Sequence, residues 1–322
     1  MAIEYRYLIG RPHHRVFAKY YQRLFPGKEV CVEGIKSYQP ENTEVILAED
    51  RPNVVWMFPE IYKGLHGKLR GKQIFIAHGG GFKQWHSQWR VNEINNHIDL
   101  YFSSGPPDEN KALAAGVSSS IIRKVGYPML FEIPKLEVRP NALLISSVYW
   151  RDWNQYETIV GIIQRLDPSI HGYVTFHPDT PEPKKKMILA ACRERENVTV
   201  LETIEQLMEA YAYCRWIIAS NSSITLPFWF HKKPVILVRG QIGDWKSRLG
   251  WIGWRRVIQS TQDELFVRII RESTKVNRAS QFSLRLLQKA KISSSADQVF
   301  YPSNYDEQET RIIVTRCMEE II

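Results

Sequence analysis

The sequence predicts an α/β protein with two domains, each built on a parallel sheet that helices cover on both faces. The first observation is a series of short apolar runs without polar–apolar alternation, which is typical of strands buried on both faces. The second is that helix-like segments separate these runs, as in βαβ units. The third is the length of 322 residues, which exceeds the size at which a single core usually stops growing.

The first set of predicted strands precedes residue 130, and turn-forming Gly, Ser, Pro or Asp residues follow the runs. A helix among them is predicted to end in KALAAG, because Gly116 can adopt the left-handed conformation that terminates helices. The predicted strands of this set are 30–34, 44–48, 53–58, 72–78, 99–104 and 121–127.

A segment with two prolines and no periodicity, 131–142, precedes a second set of strands and helices. We therefore expect two doubly wound, Rossmann-like domains at 1–137 and 138–300 that face each other across a cleft. A terminal helix at 301–322 can pack back on the first domain. The second set comprises strands at 142–150, 172–178, 197–202, 216–220 and 234–240 and helices at 155–167, 204–214 and 262–273.

Composition and charge restrict the partners more than the fold. The 43 Lys and Arg against 34 Asp and Glu give a net charge of +9, which suits phosphates, anionic lipid or nucleic acid. The four cysteines are far apart, without metal-ligand spacing, so we expect reduced thiols in a cytosolic protein. We expect no signal peptide and no transmembrane helix, because no apolar run is long enough.

In parallel α/β sheets, ligands bind beyond the carboxyl ends of the strands, so polar residues just after strands are the candidates. His78 ends one predicted strand, and the glycines that follow it let a ligand approach the backbone closely. A histidine there can act as acid or base near neutral pH; the alternative is a tight turn with a surface histidine. The neighbouring cleft candidates are Gly79, Gly80, Gly81 and Lys83, with Tyr127 in a Gly-Tyr-Pro sequence that can equally be a turn.

The second domain offers candidates for holding phosphates. His177 ends a predicted strand, where Pro178 fixes it in an extended conformation. A polar stretch follows another strand and precedes a predicted helix, which is typical of an anion site, although simple helix capping is the alternative. That stretch consists of Ser220, Asn221, Ser222 and Ser223.

Two more strand-end residues have both a binding and a structural interpretation. Arg151 can bind a phosphate with two hydrogen bonds or pair with Asp152. Glu202 can bind a ribose or a base, or form a helix-capping box with Glu205. The segment 244–256 alternates tryptophans with Lys and Arg, which suits a membrane interface or an anionic polymer as well as a basic loop with buried indoles.

Several enzyme classes are excluded because their motifs are missing. The sequence has no G-x-G-x-x-G dinucleotide fingerprint after its first strand and no P-loop. The His-Gly-Gly-Gly sequence is typical of esterases, but no G-x-S-x-G elbow accompanies it. No metal-binding triad can be assembled, so we expect neither a metal nor a cofactor.

The order of the remaining motifs resembles that of the GT-B transferases that build cell-surface polymers, above all the CDP-glycerol glycerophosphotransferases (teichoic acid polymerases and primases). The His-Pro and Ser-Ser pairs are also similar to those of CMP-sugar sialyl- and Kdo-transferases. Two stretches depart from the glycerophosphotransferase pattern, at 129–131 and at 220–221. The matching motifs are His78-Gly79 with Lys83, Gly126-Tyr127-Pro128, Trp150-Arg151, His177-Pro178, Ser222-Ser223 and Lys233-Pro234.

This resemblance implies a metal-independent transferase with a cytidine-activated donor and a glycan or lipid-linked acceptor. It implies that the first domain binds the acceptor and the second the nucleotide. His177, Ser222 and Ser223 would hold the donor phosphates, and His78 would take the acceptor proton. We expect a cytoplasmic enzyme, peripheral at the inner face of the plasma membrane through 244–256, that binds no nucleic acid.

Two other functions stay open. A sugar-nucleotide 2-epimerase or hydrolase would share the fold. A non-catalytic anion- or nucleic-acid-binding protein would require a contiguous basic face with stacking aromatic residues.

Overall fold

The computed structural model describes residues 3–9, 12–31, 53–57, 71–77, 88–147, 153–177, 180–219, 223–238, 263–276 and 278–322. The chain divides into two compact units, Met1–Glu132 with Val299–Ile322 (unit 1) and Ile133–Gln298 (unit 2). Among the described residues, no helix combines the length and apolar character that crossing a membrane requires.

Unit 1 contains a six-stranded sheet in the order β2-β1-β3-β4-β5-β6, and every adjacent pair is parallel. Its strands are β1 (Glu4–Ile9), β2 (Lys28–Cys31), β3 (Asn53–Met57), β4 (Lys72–Ile76), β5 (Leu100–Phe102) and β6 (Ile122–Arg123). Its helices include α1 (Pro12–Leu24), α2 (Gln88–His97) and α3 (Pro106–Ala115).

Unit 2 contains a second six-stranded parallel sheet, in the order β12-β11-β10-β7-β8-β9. Its strands are β7 (Arg139–Ser146), β8 (His171–Thr175), β9 (Val198–Val200), β10 (Cys214–Ala219), β11 (Val235–Val238) and β12 (Thr274–Val276). Its helices include α4 (Trp153–Gln164), α5 (Glu182–Arg193), α6 (Ile204–Tyr213), α7 (Leu226–Phe230), α8 (Asp263–Glu272) and α9 (Leu284–Gln288). The last helix of the chain, α10 (Glu307–Glu319), belongs to unit 1.

The core of unit 2 shows why these residues form a layered sheet. Strands β10 and β11 are buried along almost their whole length, as expected for strands with helices on both faces. Helix α4 packs on the core of this sheet through residues at helical spacing. Those residues are Tyr156, Ile159, Ile162 and Ile163, all fully buried.

The prediction of two Rossmann-like parallel sheets is confirmed, with differences at individual elements. The run 121–127 forms only the two-residue strand β6, because the chain turns after Arg123, whose carbonyl accepts from the Val125 N–H at 3.0 Å. Strands β1 and β12 and helices α1, α2, α5 and α9 were not predicted. The predicted strand 44–48 lies outside the described residues. Helix α3 ends as predicted, since Gly116 has a φ of 100° and its N–H bonds to helix carbonyls.

The terminal segment is tied into unit 1 by polar side chains. Arg23 on α1 forms ion pairs with Glu307 on α10 at 3.1 Å and with Glu132 at 2.6 Å. The Arg123 Nε donates to Glu320 at 2.9 Å. Because these bonds join residues from both ends of unit 1, the terminal helix is part of its folded structure.

Candidate functional site

The order of strands in unit 2 identifies where a ligand is expected. Counted from its first strand, β7, the sheet reads 6-5-4-1-2-3, which is the dinucleotide-binding order seen from the opposite edge. The direction of winding reverses between β7 and β10, and such a switch point opens a crevice at the carboxyl ends of the strands. The register aligns these ends, since Ile145 on β7 is paired with Ile218 on β10.

Three of the predicted donor residues follow the carboxyl ends of strands on the two sides of β7 in this sheet. His177 follows β8, Glu202 follows β9 and Ser223 follows β10. Apart from Tyr127 in unit 1, the other predicted site residues lie outside the described residues. They are His78, Gly79, Gly80, Gly81, Lys83, Arg151, Ser220, Asn221 and Ser222, together with the segment 244–256.

His177 begins a turn that two hydroxyl groups hold in place. The backbone N–H of His177 donates to the Ser147 Oγ at 2.7 Å. The Ser147 Oγ also lies 2.8 Å from the Thr180 Oγ1. The N–H of Thr180 closes the turn by donating to the His177 carbonyl at 2.9 Å. The backbone of His177 is therefore fixed by β7, the strand beside the switch point.

Ser223 is half-buried and begins a 3-10 turn, Ser223–Thr225, that leads directly into α7. The helix has five residues, and Pro227 lies in its first turn. Thr225 is fully buried, so this segment is packed into the interior of unit 2. The segment places Ser223 four positions after the end of β10.

At Glu202 the structure contains a capping box, but other residues form it. The Thr203 hydroxyl accepts from the Gln206 N–H, and the Gln206 Oε1 accepts from the N–H groups of Thr203 and Glu202. The alternative interpretation, in which Glu202 and Glu205 form the capping box, is therefore wrong. The side chain of Glu202 is exposed, and its role in ligand binding stays a prediction.

The Lys-Pro pair lies at the opposite, amino edge of the sheet, because it directly precedes β11. The Lys233 Nζ donates to the carbonyl of Tyr211 at 2.8 Å and to that of Ala212. It also lies 5.5 Å from the ring centroid of Phe228. Burial lowers the pKa of Lys233 to about 8. Lys233 thus satisfies carbonyls at the carboxyl end of α6, which is a structural role.

In unit 1, the Gly-Tyr-Pro sequence meets the terminal segment. A Cβ on Gly126 would collide with the amide of Asn304, which is fully buried. That amide donates to the Val125 carbonyl at 3.2 Å, and its oxygen accepts from the Tyr301 N–H at 3.2 Å. Tyr127 is 4% exposed and packs edge-on against Phe17. Burial raises the pKa of Tyr127, and its acceptor role stays a prediction.

A buried polar network lies at the carboxyl end of β5, and sequence reasoning did not identify it. The Asp108 carboxylate accepts from the Tyr101 hydroxyl at 3.0 Å and from the Ser104 N–H at 3.2 Å. The Tyr301 hydroxyl donates to Glu109 at 2.9 Å and bonds to Ser103 at 3.0 Å. The polar residues after the strand were the only indication of this network in the sequence. The contribution of Tyr301 could not be predicted, because Tyr301 lies far from them in the chain.

Within the described residues, no group of three His, Cys, Asp or Glu side chains is arranged to hold a metal ion. No protein-family model matches the chain. No curated protein matches it in sequence.

Solved structures of similar fold cover nearly the whole chain. The UDP-N-acetylglucosamine 2-epimerase from Rickettsia bellii has a TM-score of 0.60 at 11% identity, over 99% of this chain and 97% of that one. The wall teichoic acid polymerase TagF has a TM-score of 0.61 at 12% identity, over 98% of this chain and 89% of that one. Anabaena HepE, solved with UDP-glucose, has a TM-score of 0.52 at 10% identity, over 98% of both chains. The chain has the GT-B fold.

Proposed function

We propose that this protein is a transferase that moves a sugar or a polyol phosphate from a cytidine-activated donor to a cell-surface glycan or teichoic-acid-like acceptor. The observation that carries the proposal is the switch point of unit 2, with His177 and Ser223 following the strands around it. Hydroxyl groups and a histidine in such a crevice are suited to the phosphates of a nucleotide.

The structural neighbours support this choice of reaction class. TagF is by name a wall teichoic acid polymerase, and HepE was solved with UDP-glucose. Both share the fold over almost the full length of this chain. A nucleotide-activated donor is thus the substrate class that the fold and the crevice favour together.

In the proposed reaction, an acceptor hydroxyl attacks the activated group while the nucleotide leaves with its phosphate. His78 takes the proton of the attacking hydroxyl. His177, Arg151, Ser222 and Ser223 stabilise the negative charge that develops on the leaving phosphate.

The proposal also includes the location of the enzyme. An acceptor linked to a lipid is reached at the inner face of the plasma membrane. The segment 244–256, with its tryptophans and arginines, would bind the anionic surface there. The uncharged indoles enter the interface while the cations bind lipid phosphates.

A thermal-shift series with CMP, CDP, UDP and GDP tests the donor. A nucleotide at 100 times its Kd stabilises the folded protein by about 2.7 kcal/mol, so the cytidine nucleotides should raise the melting temperature most. An equal response to all four, or none, would contradict the cytidine donor.

The phosphate site is tested by titration calorimetry of Ser222→Ala combined with Ser223→Ala. The pair should weaken CDP binding by about 1–3 kcal/mol, the range for hydrogen bonds to charged groups. Ser169→Ala is the matched control, because Ser169 precedes β8 at the amino edge and bonds to Asp167. Unchanged CDP affinity in the double variant would remove these serines from the site.

A sugar-nucleotide 2-epimerase is the second candidate, favoured by the likeness to the Rickettsia bellii enzyme. Incubation with UDP-N-acetylglucosamine and no acceptor separates the two functions. Appearance of the 2-epimer by NMR would establish the epimerase, whereas acceptor-dependent release of CMP from a CDP- or CMP-activated donor would establish the transferase.

A further inference from the structure

We propose that Thr180 is a further ligand-binding residue of unit 2, and that Ser147 is the residue that positions it together with His177. In this inference, which rests on the proposed function, the Thr180 hydroxyl donates a hydrogen bond to a phosphate oxygen of the nucleotide. Neither residue belongs to a motif of the sequence, and both are described in the structure.

The Ser147–Thr180 pair has more hydroxyl protons than the hydrogen bond within it uses. Ser147 and Thr180 each have one O–H group, and their oxygens lie 2.8 Å apart, so one bond between them uses one proton. The Ser147 oxygen already accepts from the His177 N–H at 2.7 Å. One hydroxyl proton of the pair is therefore left without an acceptor inside the pair.

Burial decides which hydroxyl keeps that proton available. Ser147 is 3% exposed, and a buried O–H without an acceptor costs about 1–3 kcal/mol. Thr180 is half-buried, so its hydroxyl can reach a ligand or solvent. The favourable arrangement has Ser147 donating to Thr180, whose own O–H then points outward.

The location of the pair favours an anionic acceptor for this proton. Ser147 is the residue after β7, which borders the switch point, and its N–H extends the ladder to the Thr175 carbonyl at 2.9 Å. The Lys185 Nζ lies 5.5 Å from the ring centroid of Phe176, the residue that precedes His177 in the chain. An O–H group without an acceptor in the pair, at the edge of the sheet where ligands bind, is suited to a phosphate oxygen.

The test compares four variants by titration calorimetry with CMP, CDP, UDP and the nucleoside cytidine. Thr180→Val removes the hydroxyl at nearly constant volume and should weaken nucleotide binding about tenfold, the effect of one hydrogen bond to a charged group. Cytidine, which has no phosphate, should lose less than twofold. Thr180→Ser should restore nucleotide affinity to within about twofold of the wild type.

Ser147→Ala tests the positioning role with a measurement that does not depend on a ligand. Loss of its oxygen should accelerate hydrogen exchange of the His177 amide about tenfold or more, while Thr180→Val leaves that amide protected. Ser146→Ala is the matched control, because this adjacent buried serine bonds only to the Ser147 carbonyl at 3.1 Å. Thermal melting of all variants verifies that they fold.

The outcomes separate the two proposals. If the wild type binds a nucleotide and Thr180→Val binds it equally well, the inference is refuted while the proposed function stands. Unchanged exchange of the His177 amide in Ser147→Ala refutes the positioning role. If the wild type binds none of the nucleotides, the proposed function fails and the inference with it.

Discussion

The substitution Gly126→Ala separates a structural from a functional interpretation of the Gly-Tyr-Pro sequence. Gly126 has a φ of 89°, a conformation that costs an L-residue about 1–2 kcal/mol. The added Cβ would also displace the buried Asn304 amide, which makes two hydrogen bonds within unit 1. Each such bond contributes about 0.5–1.5 kcal/mol, so we expect a total loss of about 2–5 kcal/mol.

The matched control is Gly116→Ala, at the end of α3. Its φ of 100° imposes the same kind of backbone strain, but its Cβ would meet only Val91 at 3.6 Å. We therefore expect Gly116→Ala to cost only the backbone part, about 1–2 kcal/mol. Scanning calorimetry is the appropriate assay, since two units can unfold in separate transitions.

A double-mutant cycle with Asn304→Ala isolates the collision. If Gly126→Ala acts by displacing this side chain, the double variant is more stable than the sum of the single losses predicts, with an interaction energy of about 0.5–3 kcal/mol. Strict additivity, or equal losses for the two glycine variants, would refute the reasoning. A loss of turnover without a loss of stability would instead assign Gly126 to acceptor binding.

Three further predictions follow from other parts of the chain. Hydrogen bonds from Ser and backbone groups, first among them the Ser293 hydroxyl, lower the pKa of Glu272 from 4.5 to about 2. The ionised carboxylate therefore stabilises the folded protein above pH 4.5, and this stabilisation is lost as the pH falls towards 2. Glu272→Gln should lower the melting temperature at pH 7 and should match the wild type near pH 2. In the proposed reaction, His78→Ala should reduce turnover about 10²–10⁴-fold without loss of nucleotide affinity, whereas His177→Ala should reduce nucleotide affinity too. A rate assay measures the turnover of both variants, and calorimetry measures their nucleotide affinity. Full turnover in His78→Ala would show that another residue is the base. Arg255→Glu with Arg256→Glu should abolish flotation with anionic liposomes, and unchanged flotation would remove the membrane role of this segment.

The sequence predicted the fold class because buried parallel strands leave a local signal. Strands β4 and β10 contain the continuous apolar runs IFI and WIIA, and the position of such a run needs no knowledge of its partner strands. Strand β1 was missed because EYRYLI combines Tyr and Arg with only two aliphatic residues. Strand β12 is three residues long and directly follows α8, so it has too few residues to show a period.

The residues that complete a site depend instead on register, which no local pattern reveals. Ser147 and Thr180 are 33 positions apart, and they meet because β7 pairs with β8 with Ser146 opposite Thr175. A slip of one residue in this register would turn the side chains of β8 to the other face and move His177 away from Ser147. Lys233 illustrates the same limit, since it was found as part of a motif, yet its ammonium group bonds to the end of α6 at the opposite edge. Strand ends can therefore be read from the sequence, whereas the hydroxyl pair that fixes His177 follows only from the way two strands are aligned.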